Sequence, residues 1–287
     1  MNARLNQFLW VPLLALSLCV TSSRGQGSTF LSYRAGASTT ELDTAPVNLN
    51  EFQLRLPGVH LSLNDWFTLS TAFGYHHADM GPVHRFWGDA PKDAFLFEGS
   101  LDYPVNDRYM LSMGTSVRWM RSFARTEADK EAFHRSALVM KRYRKSGDYF
   151  RIGVAYRSGV ALEVIPILGY EGSLSAKYDI SALLPGRAYV FRKLANGNRI
   201  GLFGRYQTTP YLLESGSLGD AEVFRHRMIR FGVSNESRVS DDLVLRVDVS
   251  STLVDDHQWV GPSTDITIQL DRSVILDVAL IFRRKST

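Results

Sequence analysis

Apolar and polar residues alternate with a period of two along most of this chain. Phe67, Leu69, Thr71, Phe73 and Tyr75 share one face. Phe95, Phe97, Gly99, Leu101 and Tyr103 do the same, with Glu98, Ser100 and Asp102 opposite. Tyr109, Leu111, Met113, Thr115, Val117 and Trp119 alternate with Ser112, Gly114, Ser116 and Arg118. Phe150, Ile152, Val154 and Tyr156 alternate with Arg151, Gly153, Ala155 and Arg157. Later come Ile229, Phe231 and Val233 around Arg230; Leu243, Leu245, Val247 and Val249 against Arg246, Asp248 and Ser250; and Val274 to Phe282 with Asp277 opposite. Successive side chains of a strand point to opposite faces, so this pattern predicts strands with one apolar and one polar side. Helical periodicity is nearly absent.

Turn chemistry joins the strands into hairpins. In Leu184 to Tyr206 a Leu-Pro-Gly break opens a short run that ends at Ala195-Asn196-Gly197-Asn198. An Asn-Gly pair can take the positive φ of a tight turn, so the chain should fold back on itself there. On the return arm Ile200, Leu202, Gly204 and Tyr206 oppose Arg199, Phe203 and Arg205. A similar layout runs from Leu56 to Tyr75, again with Leu-Pro-Gly, a turn and Phe-Gly before a Tyr. Short connections are expected at Asn64-Asp65, Pro104 to Asp107, Lys145 to Asp148, Asn196-Gly197 and Ser234 to Ser237. Longer ones are expected at Gly36 to Pro46, Ala78 to Asp93, Arg121 to His134, Thr209 to Ala221 and Val254 to Asp265. Thr126 to His134 could hold a short capped helix within such a loop. Short turns at one end and long loops at the other are the pattern of an outer-membrane barrel.

Two features favour a membrane barrel over a secreted β-sandwich. Tyr109 and Trp119 lie ten residues apart on one apolar face. That is roughly 33 Å of strand, or about 25 Å when tilted, the height of an apolar band between aromatic girdles. The opposite face carries Gly, Ser, Arg, Asp and Glu, which suits a polar lumen better than a dry core. The expected fold is therefore all-β, an antiparallel up-and-down transmembrane β-barrel of 12–14 strands. Pro166 and Pro185 blur the strands between Val160 and Leu184, which leaves twelve and fourteen equally open.

The first 25 residues read as a signal peptide. Arg4 precedes the apolar run Phe8 to Val20, and Ser23-Arg24-Gly25 places small residues before a cut at Gln26. The domain division is then 1–25 signal peptide and 26–287 barrel. Cys19 is the only cysteine, so a cut there leaves neither disulfides nor thiolate chemistry. Loss of Arg4 and Arg24 leaves 31 basic residues against 29 acidic, too balanced to argue for nucleic acid.

The segment Val164 to Tyr206, with Pro166, Gly169 and Tyr170, then Leu183-Leu184-Pro185, then the Asn-containing hairpin, resembles an uncharacterised outer-membrane β-barrel family common in Bacteroidota. The resemblance implies the fold and the outer-membrane location, and no activity. Many such barrels end on an aromatic residue, whereas here Phe282 is followed by Arg283-Arg284-Lys285-Ser286-Thr287.

Candidate chemistry is sparse. His76-His77-Ala78-Asp79, with His84 beyond, is the one cluster of metal-binding or acid–base type. Neighbouring strand residues face opposite ways, so this cluster is expected to be a solvated outer loop, with no metal, cofactor or catalytic residue assigned. No Gly-x-Ser-x-Gly elbow, phosphate loop or His-Glu-x-x-His occurs. The chain is expected not to be an enzyme, an outer-membrane hydrolase being the alternative. Expected lumen-lining charges are Glu98, Asp102, Arg118, Arg151, Arg157, Arg205, Arg230, Arg246, Asp248 and Asp277. They form either a solute path with mild anion preference or ion pairs that fill and rigidify the barrel. Expected membrane-interface aromatics are Tyr75, Tyr103, Tyr109, Trp119, Tyr156 and Tyr206. Expected partners are outer-membrane lipid, the barrel-assembly machinery during insertion and, on the solute-path reading, a small solute.

Overall fold

The computed structural model describes residues 29–40, 43–64, 66–80, 92–121, 132–157, 163–212, 223–261 and 263–282. The strands, in chain order, begin with β1 (Thr29–Thr40), β2 (Asp43–Asn64), β3 (Phe67–Met80), β4 (Lys92–Asn106) and β5 (Tyr109–Arg121). Next come β6 (Ala132–Tyr143), β7 (Tyr149–Arg157), β8 (Glu163–Ser175), β9 (Tyr178–Leu184) and β10 (Arg187–Lys193). The last five are β11 (Arg199–Leu212), β12 (Val223–Arg238), β13 (Leu243–Val260), β14 (Asp265–Gln269) and β15 (Val274–Phe282). From β1 to β13 each strand pairs with the next, always antiparallel. β15 pairs with β13 on one side, Leu243 opposite Phe282, and with β1 on the other, Thr29 opposite Phe282. β14 pairs only with the far end of β13, so β14 and β15 occupy one interrupted wall position. Among the described residues the wall is thus a closed ring of fourteen strands, the upper of the two counts open from sequence. Closure gives each of the fourteen positions a strand neighbour on both sides over at least part of its length, which limits the unpaired edge that hydrocarbon would not tolerate.

Most turns follow their sequences. Ser234 to Ser237, expected as a short connection, is instead strand within β12, and the turn there closes later, from the Val239 N–H to the Leu243 carbonyl at 2.9 Å. In Leu194 to Asn198 the Leu194 N–H donates to the Asn198 carbonyl at 2.9 Å, and the Gly197 N–H to the Leu194 carbonyl at 3.1 Å. Arg144 to Asp148 repeats this form at 2.7 and 3.0 Å. Gly197 and Gly147 take φ of 80° and 88°, the left-handed conformation that closes a three-residue hairpin loop. Asp148 accepts from the Ser146 hydroxyl at 2.8 Å and the Ser173 amide at 3.1 Å. Its carboxyl is held below the usual carboxylate range, first by that hydroxyl and then by the amide.

Several expected loops are strand. Of Gly36 to Pro46, the described residues belong to β1 and β2, which remain paired as far as Thr40 opposite Asp43. Val254 to Asp265 belongs mostly to β13, and the Gly261 N–H closes a tight turn on the Thr264 carbonyl at 2.8 Å. Polar composition suggested loops there, but a strand that runs past the apolar band no longer needs an apolar outer face. Residues 81–91, 122–131, 158–162 and 213–222, the signal segment and residues 283–287 lie outside the described residues, as does most of the short helix considered within Thr126 to His134. His134 itself is in β6.

The two Leu-Pro-Gly segments differ. Leu184-Pro185-Gly186 turns β9 into β10, whereas Leu56-Pro57-Gly58 lies inside β2, where the register slips between Pro57 and His60. The β9–β10 hairpin is short, seven residues per strand. Glu163 to Ile167 of β8 and Gln207 to Leu212 of β11 therefore have a strand on one side only, among the described residues. Pro166 and Pro210 fall on those stretches. Proline has no N–H to donate, so a position with one strand neighbour is where it can sit without breaking the ladder. That geometry is why this region gave no clean strand signal.

Candidate functional site: the filled barrel interior

At one level of the barrel, side chains from distant strands meet. The Tyr211 hydroxyl of β11 donates to Glu51 Oε1 of β2 at 3.2 Å. The Arg118 guanidinium of β5 lies over the Tyr211 ring, 5.4 Å from its centre, and its Nη2 is 2.6 Å from His76 Nδ1 of β3. His76 Nε2 is in turn 3.9 Å from Glu51 Oε1. β2 and β11 are not neighbours in the ring, so this contact can only be made through the interior.

A second set of charges adjoins the first. Arg34 of β1 pairs with Glu51 and donates through Nε to Asp277 Oδ1 of β15 at 2.6 Å. Asp277 Oδ2 is 2.5 Å from Arg230 Nη1 and 3.9 Å from Arg205 Nη1. Arg34, Arg118, Arg205 and Arg230 thus face the carboxylates Glu51 and Asp277, leaving positive charge in excess. Aromatic faces take part of it: Arg230 lies over Phe203 at 5.8 Å, and Arg205 and Arg246 lie over Tyr189 at 6.0 and 5.8 Å. Tyr189 stacks on Phe191 and Phe203 with centres 5.5 and 5.3 Å apart.

The remaining sequence-derived charges all have partners, mostly on neighbouring strands. Glu98 accepts from Arg55 Nε at 2.7 Å. Asp102 accepts from the Ser112 hydroxyl and lies 3.7 Å from Lys141 Nζ. Arg151 donates to Glu171 at 2.9 Å and to the Tyr149 hydroxyl at 2.8 Å. Arg157 is 3.5 Å from Glu163; Arg246 is 3.8 Å from Glu236 and 3.7 Å from Asp248; Asp248 accepts from the Ser234 hydroxyl at 2.5 Å. Beside Arg55, His60, Ser70, Glu98 and Asp102 a cavity of about 680 Å³ remains.

Of the six aromatics singled out from sequence, Trp119 and Tyr156 are exposed. Tyr75 packs between Phe95 and Phe52 at 5.6 and 6.2 Å, and Tyr103 against Phe67 and Trp66 at 5.2 and 6.2 Å. Tyr109 lies beneath Arg142 at 5.8 Å, and Tyr206 accepts from the Thr208 hydroxyl at 2.9 Å.

Two expectations are overturned. His76 to Asp79 is not a solvated loop but part of β3. His76 is buried among Glu51, Arg118 and Tyr211, and His77, on the other face, meets Asp93 at 2.8 Å. His84 lies outside the described residues. Nor is the interior only polar: Leu49, Ala78, Tyr211, Phe224, Met228, Trp259, Leu270 and Ile275 form one buried cluster. For Trp259 the alternation rule fails at the register shift of β12 against β13 at Ile229/Arg230, which decides which residues of β13 beyond it turn inward. Sequence reading also missed Arg34, Glu51 and Tyr211, whose partners lie at separations that no local pattern encodes. It missed His226, Asp255 and His257 for the same reason: all three are buried, and His226 Nε2 is 2.6 Å from Asp255 Oδ1.

The architecture is that of an outer-membrane β-barrel. No protein-family model and no curated protein matches the chain. Similar solved structures include an outer-membrane channel from Pseudomonas putida F1, 15% identical, covering 91% of this chain and 97% of that one with a TM-score of 0.44. The KdgM porin in complex with disordered oligogalacturonate is 12% identical over 89% of this chain and 99% of the porin, TM-score 0.37. The translocator domain of the autotransporter NalP from Neisseria meningitidis is 10% identical over 99% and 97%, TM-score 0.37. At these identities and scores none carries a property over to this chain.

Proposed function

We propose that this chain is an integral outer-membrane barrel whose lumen is held shut by its own side chains, so that it does not conduct in its resting state. The observation that carries this reading is the contact of Tyr211 with Glu51 and Arg118, which joins strands from opposite parts of the ring. In this reading the ten charged residues named from sequence line the lumen tied to carboxylate, hydroxyl, imidazole or aromatic partners rather than as a free path. Apolar side chains cover the outer face, with Tyr75, Tyr103, Tyr109, Trp119, Tyr156 and Tyr206 at the lipid boundaries. The signal segment ending near Gly25 directs export, and the assembly machinery inserts the strands. The likeness to the Bacteroidota family supports the same location. No reaction is assigned.

The excess of arginine over carboxylate around Tyr211 favours a second reading, passage of small anions once the contact opens. Planar-bilayer recording tests both. Wild-type protein should give no conductance steps across a range of salts, and the double variant Tyr211→Ala, Arg118→Ala should give anion-selective steps. Steady conductance of the wild type would overturn the closed state. Recovery of the protein in soluble periplasm would overturn the location.

A further inference from the structure

We propose that His226, Asp255 and His257 form a site for one divalent transition-metal ion of the zinc type, inside the barrel near the end where the longer connections lie. His226 is the fourth residue of β12, and His257 stands directly opposite it on β13, three residues before that strand ends. Asp255 precedes His257 by two positions and so faces the same way. One ligand atom from each of the three lies within 4.8 Å of the others. The imidazole rings are perpendicular, with centres 4.9 Å apart.

The donor set selects the ion. Two imidazoles and one carboxylate suit zinc, iron, nickel or copper, whereas calcium and magnesium require oxygen ligands throughout. Three protein ligands leave a coordination position for water or a bound anion.

Three observations separate this cluster from an ordinary buried ion pair. First, His226 is nearly fully buried, and its Nδ1 has no hydrogen-bond partner. A His–Asp pair built only for stability would be expected to satisfy both ring nitrogens. Second, Asp255 is oriented from behind: the Ser273 hydroxyl donates to its Oδ2 at 3.2 Å, and Thr252 Oγ1 is 3.1 Å from Ser273 Oγ. Outer-shell hydrogen bonds of this kind fix a ligating carboxylate. Third, there is a way in. β14 and β15 are interrupted between Leu270 and Ser273, opposite Thr252 to Asp255, and a cavity of about 640 Å³ at the break is lined by Thr252, Asp255, Gln269 and Asp271. Phe224 and Trp259 pack around His257 at 4.9 and 6.1 Å, giving the ion an apolar surround on its other side.

The test uses tag-free, detergent-purified full-length protein stripped with a chelator and titrated with zinc alone, with Co²⁺ as a spectroscopic probe. Wild type should take up one Zn²⁺ per chain, show a ligand-field spectrum with Co²⁺, and unfold at a higher temperature with Zn²⁺ in the heat-modifiable gel shift. His257→Gln and Asp255→Asn should each lose the uptake while keeping the gel shift of a folded barrel. Ser273→Ala should weaken binding 10–100-fold. His134→Ala, on a strand far from the cluster, should bind as wild type. Absence of uptake by folded wild type overturns the site, and so does unchanged uptake in either ligand variant. If a ligand variant fails to fold, Ser273→Ala decides: unchanged affinity there counts against the site.

Discussion

Two sectors of this barrel use the same side chains to different ends. Along β12, β13 and β15 the inward-pointing charges are packed away: Arg230 and Asp248 are 0% and 1% exposed. Along β7 to β9 the same residue types form pairs open to solvent, as in Arg151 with Glu171, whose side chain is 47% exposed. The first sector packs across the interior against Leu49 of β2 and Met120 of β5. In the second the pairs run mostly between nearby strands, Glu163 of β8 alone among those named reaching across to Arg225 of β12, at 3.5 Å. An arginine opposite an aspartate is therefore a different object in each. Screened by water, such a pair contributes little. Removed from water, each charge depends on its partner, because the lost hydration is large.

The largest effect should follow from breaking the buried side of this comparison. Asp277→Ala strips Arg230 and Arg34 of a shared carboxylate and should destabilise the barrel by about 3–5 kcal/mol. Denaturant unfolding in detergent or lipid, followed by loss of the gel shift, measures it. A cost below about 1 kcal/mol would mean that the two sectors are energetically alike.

The next effect contrasts the two faces of one strand. Met113 is 47% exposed on the outside of β5, whereas the hydroxyl of its neighbour Ser112 donates to Asp102. Met113→Arg should cost about 2–4 kcal/mol if the side chain lies at mid-membrane. Ser112→Arg should reduce barrel yield in membranes less, since it adds a cation beside Asp102. Equal yields, or the reverse order, would invert the assignment of inside and outside. The smallest effect belongs to the open sector: Glu171→Ala should change stability by about 0–1 kcal/mol. Measured beside Asp277→Ala under identical conditions, it sets the lower end of the scale.

How much was legible beforehand follows the range of each interaction. β15 was readable from Val274 to Phe282 to the residue, because alternation in a half-buried strand is a local property. The Asn196-Gly197 turn was readable too, since the positive φ at Gly197 is a demand on one residue. Where strands outran the apolar band, at Gly36 to Pro46 and Val254 to Asp265, the local signal vanished and loops were expected instead. Pro166 was ambiguous because nothing local says that β8 has a neighbour on one side only at that point.

The sequence by itself determined an antiparallel sheet with one apolar and one polar face, its hairpin turns and most of its strand positions. Each of these rests on residues within a few positions of one another. Only the tertiary structure decided that the ring closes at fourteen strands, that Tyr211 reaches Glu51, and that His226, Asp255 and His257 come together. Those contacts join residues 160 and 29 apart in the two hydrogen-bonded cases. Their existence depends on strand register and ring closure, which are properties of the whole sheet and not of any stretch of it.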